Sequence, residues 1–114
     1  MSRTIPEAVA LVKESATLAY TEALASAKKL AEEQPGNVGG VSLAYDVAFE
    51  LSQLLYYADD DITLGRLIAA VAASDADAAA ISRYLLDWAE GYVCDCDDRI
   101  ADERVPALRD LALS

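Results

Sequence analysis

A chain of 114 residues is of single-domain length, and its 54% hydrophobic content suffices for a core without disulfide or metal staples. It contains no histidine, which excludes Ser-His-Asp and Cys-His catalysis, HExxH zinc sites, Glu-x-x-His di-iron motifs and imidazole pH switching together. Its net charge of −11, from 20 acidic and 9 basic residues, opposes direct nucleic-acid binding, because neutralising phosphates needs clustered lysine and arginine.

Twenty-three alanines, with few aromatic or β-branched runs, point to helix. The class expected is all-α: a compact bundle of four main helices plus a short C-terminal helix, forming one acidic domain over 1–114. No run of about 18 uncharged apolar residues occurs, and the opening MSRTIPEAVALVKES has lysine and glutamate where a secretory peptide needs its apolar block. A cytoplasmic chain with no membrane contact is the expectation.

The first helix is announced by Thr4 and Glu7 in capping-box relation, with Pro6 in the first turn, and runs to about Glu33. Ile5, Val9, Val12, Ala16, Ala19, Ala23, Ser26 and Leu30 alternate spacings of three and four, a heptad-like seam. Small residues there call for a close neighbour: the long fourth helix, or a second copy in a homodimer through this helix. Gln34 to Gly40 then reads as the one loop of any length.

The second helix is expected from about Ser42 to Ala58, with Leu43, Val47, Leu51, Leu54, Leu55 and Ala58 inward and Tyr45, Phe49, Tyr56 and Tyr57 spread around it. Asp59, Asp60 and Asp61 fit a cap and turn before a short third helix, about Ile62 to Ala73, carrying Leu64, Leu67, Ile68 and Val71.

The stretch from Ser74 to Glu103 reads as one long helix, with Ser74 and Asp77 as its capping box. At about 100° per residue, Ile81, Leu85, Trp88, Ala89, Tyr92, Val93, Cys96 and Ile100 share one side. Asp87, Glu90, Asp95, Asp97, Asp98 and Asp102 share the other. Arg104-Val105-Pro106 interrupts it, and Ala107 to Leu113 forms the last short helix. Residues 41–114 carry fifteen acids and five bases, residues 1–40 five and four, so the negative excess belongs to the second part.

Cys94 and Cys96, two apart on a helix, point about 200° away from each other and share neither a metal nor a disulfide; carboxylates around Cys94 lower its reactivity. Ser26-Ala27-Lys28-Lys29 matches Ser-x-x-Lys by letter only, and Gly36, Gly39 and Gly40 lack the strand and the Lys-Ser or Lys-Thr of a phosphate loop. Asp46 with Glu50 and Asp87 with Glu90 each set two carboxylates on one helical face, a donor set suited to magnesium. This resembles the all-α nucleotide pyrophosphohydrolases, which pair acidic motifs on neighbouring helices and act on nucleotides with that metal. The first pair departs from their spacing, and no lysine or arginine stands nearby to receive phosphates.

The leading expectation is non-enzymatic, with no cofactor and no metal: an acidic protein covering the basic, nucleic-acid-contacting surface of a protein partner. Its contact would be Asp87, Glu90, Asp95, Asp98 and Asp102, with Tyr84 as aromatic anchor and Asp59, Asp60 and Asp61 as a second patch. Phage anti-CRISPR inhibitors, DNA mimics and nuclease immunity proteins are similar in size and charge. The same composition also suits a salt-adapted organism in which the acids only solvate the surface.

Overall fold

A computed structural model describes residues 3–57 and 62–95. Among them the chain is helical without a strand: α1 (Ile5–Glu33), α2 (Val38–Tyr57), α3 (Ile62–Ala72) and α4 (Ala78–Asp95). No helix there is long and apolar enough to cross a membrane. The expected C-terminal helix, Cys96 and Asp59 to Asp61 lie outside the described residues.

α1 starts as its local sequence dictates. Thr4 Oγ1 accepts from the Glu7 N–H at 3.2 Å and the Glu7 carboxylate accepts from the Thr4 N–H at 3.0 Å. The bond from the Thr4 backbone, then the Thr4 side chain, hold the Glu7 carboxyl below its ordinary value. The largest interface of α1 among the described residues is with α2; it also packs on α4, the neighbour expected for it, and on α3. α2 takes the larger share because it returns directly along α1 after a short turn.

The buried face of α1 is Ala8, Val12, Ser15, Ala16, Ala19, Ala23 and Ala27. These positions recur at eleven residues (Ala8 and Ala19, Val12 and Ala23, Ala16 and Ala27), three turns plus about 20°, so the face drifts slowly and in the sense opposite to that of a heptad. A strict heptad drifts about 20° per repeat on a straight helix. Of the seam residues Ile5 and Ser26 are exposed and Val9 and Leu30 half-buried, and Leu18 beside the seam is exposed. The buried Ser15 hydroxyl donates to the Leu11 carbonyl at 2.7 Å, which satisfies it within the helix.

α2 begins at Val38, four residues before the expected Ser42, because Asn37 caps it: Asn37 Oδ1 accepts from the Gly40 N–H at 3.1 Å, and its carbonyl accepts from Val41 at 3.0 Å. The Asn37 amide also donates to Gln34 Oε1 at 3.0 Å, so the turn is only Gln34 to Asn37. Ala48, Leu51 and Leu54 of α2 are buried, whereas Leu43, expected inward, is 44% exposed.

Between α3 and α4 the chain is held by a residue from its other end. The Arg3 N–H donates to the Ala72 carbonyl at 2.7 Å, and the guanidinium donates to the carbonyls of Val71 (3.2 Å), Ser74 (2.6 Å) and Ala76 (2.6 Å). Carbonyls at the end of α3 have no partner within their own helix, and here a cation meets the negative end of the helix dipole. Leu67, Ile68 and Val71 of α3 join Ile81, Leu85 and Trp88 of α4 in the core.

Candidate partner-binding faces

α4 is entered through a single cap. Asp77 Oδ1 accepts from the Ala80 N–H at 2.8 Å, while Ser74, expected to share a capping box with it, is buried and belongs to the α3 end. The Ser74 hydroxyl donates to the Val71 carbonyl at 3.1 Å and accepts from the Ala76 N–H at 3.4 Å. The four residues Ser74 to Asp77 are thus a linker, and the helix starts at Ala78. Asp77 lies next to the positive end of the dipole, where a carboxylate is favoured.

Beyond the cap, α4 separates its faces as its sequence requires. Ile81, Leu85, Trp88 and Ala89 are buried, and Asp87 and Glu90 are exposed with Arg83 beside them. Tyr84, expected to be an exposed anchor, is buried at 7% exposure and belongs to the core cluster. Its burial follows from α4 packing on both α1 and α2: two neighbours cover a wider arc than one, and Tyr84 lies about 40° outside Trp88 within that arc. The described part of the acidic face therefore consists of two carboxylates and one guanidinium, with no aromatic. The backbone of Asp95 ends α4; its side chain, with Asp98 and Asp102, lies outside the described residues.

A groove of about 360 Å³ opens between α1 and α4, lined by Leu18, Glu22, Ala79, Ser82, Arg83 and Leu86. Its walls are polar and apolar in about equal part, with one acid and one base that make it neutral in sum. Asp46 and Glu50 on α2 do not join Asp87 and Glu90 in a common group: no three acidic or cysteine side chains among the described residues stand close enough to hold a metal ion.

Among the described residues the exposed large hydrophobic side chains lie mainly on α2. Val38, Tyr45 and Phe49 are 74%, 40% and 57% exposed, and their spacing of seven and four places them within about 40° of arc. Asp46 is exposed next to them, and Glu50 is half-buried one turn on. Burial, followed by the Asp46 charge, pushes the Glu50 carboxyl above its ordinary value. Sequence periodicity gave no sign of this ridge because apolar residues occur all around α2; the signal available was that Asp46 and Glu50 are the only charges in Val38–Tyr57.

No protein-family model, curated protein or solved structure matches the chain.

Proposed function

We propose that the protein is a non-enzymatic acidic binder that occupies a basic, nucleic-acid-contacting surface of another protein, its carboxylates standing where phosphates would. The observation that carries this reading is the charge distribution: residues 41–114 hold fifteen acids against five bases, whereas residues 1–40 are nearly balanced. Like charges concentrated this way oppose one another in the free protein, and a cationic partner relieves that cost. The exposure of Asp87 and Glu90 above a buried apolar side supports it, since carboxylates facing solvent can steer a partner without disturbing the core. Asp95, Asp98 and Asp102 extend this surface in the proposal, Asp59 to Asp61 form its second patch, and the fold it assumes is the compact four-helix bundle with a short C-terminal helix.

The homodimer alternative finds less support at α1, whose small-residue face is filled by the chain's own neighbouring helices. The test is retention of a basic nucleic-acid-handling protein from host lysate on the immobilised chain at low salt, with release by salt and competition by DNA or RNA. Asp95→Lys together with Asp98→Lys is expected to abolish retention and leave the helical circular dichroism unchanged. Retention that survives both reversals would remove the acidic-face reading.

A further inference from the structure

With Tyr84 in the core, the described part of the acidic face of α4 lacks an aromatic anchor of the kind that supplies most of the binding energy in protein interfaces. That contact is present on α2. Val38, Tyr45 and Phe49 form an exposed ridge on the side away from Leu51 and Leu54, which face the core. Beside the ridge run Asp46 and Glu50, the only charged residues of the helix. An apolar stripe bordered by carboxylates, with no base in the helix, has a definite complement. We infer that this face docks an amphipathic helix of the partner protein, its apolar stripe lying on Tyr45 and Phe49 and its lysines or arginines meeting Asp46 and Glu50.

The inference rests on the reading of a basic partner and specifies where that partner gains its affinity. Charge decides between this occupant and a second copy of the chain. Two α2 helices facing each other bring four carboxylates and no base to one seam, and like charges across an interface oppose association. A basic helix instead places its cations beside Asp46 and Glu50, where burial and then the Asp46 charge disfavour ionisation of Glu50. The aromatic rings supply desolvated area and the carboxylates supply orientation and on-rate, the usual division of labour at such surfaces.

The probe is a synthetic amphipathic peptide of leucine and lysine, about 18 residues and so about 27 Å when helical, titrated into the labelled full-length chain and followed by fluorescence anisotropy. Two comparison peptides share its length: a scramble of the same composition without the stripe, and a version with glutamate for lysine. Binding of the lysine peptide above the scramble is expected, weakened about tenfold or more by Phe49→Ser, as for an interface anchor. Asp46→Lys should weaken it too and flatten its salt dependence, while Asp87→Lys has a smaller effect. Tyr45→Ser serves as the second variant, and unchanged thermal unfolding certifies both.

Equal binding of the scramble would overturn the docking surface and leave the acidic-binder reading standing. Equal binding of the glutamate peptide would overturn the requirement for a basic partner itself. A doubled mass by light scattering that Phe49→Ser abolishes would assign the face to a second copy. Movement of the NMR signals of residues 96–114 on Phe49→Ser, without peptide, would assign it to the chain's own C-terminal segment; either result replaces the inference.

Discussion

Replacing Arg3 by alanine should cost far more stability than its place near the start of the chain suggests. The guanidinium donates to three carbonyl oxygens at 2.6–3.2 Å, and its Nη1 also stands 3.5 Å from Ser74 Oγ. A hydrogen bond from a charged donor contributes about 1.5–3 kcal/mol, but the three are not additive and Arg3 is only half-buried, so water replaces part of what is lost. The Arg3 N–H to Ala72 bond survives the change. A loss of about 2–4 kcal/mol follows, or roughly 8–16 °C in Tm at about 4 °C per kcal/mol for a domain of this size. Urea and thermal unfolding followed by circular dichroism measure it, with native-state hydrogen exchange to locate it. Protection should fall at the end of α3 and in the linker to Asp77, and much less in the middle of α1. Arg3→Lys should recover part, since one ammonium can serve Val71 and Ser74, which share Nη1, but not also Ala76, which takes Nη2. A loss below about 0.5 kcal/mol for Arg3→Ala, the range of an ordinary surface substitution, would show that the clasp does not hold α3 and α4 together.

Two further outcomes follow from α2. Gly39→Ala should stabilise the protein by about 0.5–1 kcal/mol, because its new methyl meets nothing within 4 Å and alanine favours helix. The same change at Gly40 would place Cβ 2.5 Å from the Asn37 amide nitrogen and displace the capping side chain, so chemical denaturation should show no gain there or a loss. Glu50→Gln should stabilise at neutral pH. The folded-state value of Glu50 lies above 4.5, so its ionisation opposes folding. Below pH 4.5 both states are protonated and that cost vanishes; it develops as pH rises from 4.5 through the folded value and is complete above it. Unfolding curves of the two proteins should therefore converge in acid and separate toward neutrality, and a constant gap would refute the assignment.

The sequence was most informative where a contact is local. Thr4 and Glu7 are three residues apart, and their reciprocal bonds were legible with the start of α1. The end of α1, the span of α3 and the burial of Ile81, Leu85 and Trp88 were legible for the same reason. Arg3 was not, because its acceptors lie 68 to 73 residues away and nothing in a pattern of threes and fours reports them. Gly39 and Gly40 hid the first turn of α2, since poor helix formers read as loop while the Asn37 cap that overrides them is one side-chain bond. The burial of Tyr84 depends on how many neighbours α4 has, which periodicity within a single helix does not encode. The exposed ridge on α2 escaped for a related reason: a helix apolar on every side does not announce which side its neighbours leave open.

The alanine-rich face of α1 reverses the usual vulnerability of a protein interior. Most cores fail by shrinkage, when a large side chain is cut back and leaves a cavity. Six of the seven buried residues of α1 are alanine or serine, so little can be removed. Added methyl groups, by contrast, have nowhere to go except into the three helices that crowd against it. Under random mutation the first third of the chain would then tolerate loss of volume and reject growth, while Leu51, Ile81 and Leu85 opposite it would show the reverse. Sequences drifting under selection for this fold would keep their bulk in the later helices and their smallness in the first.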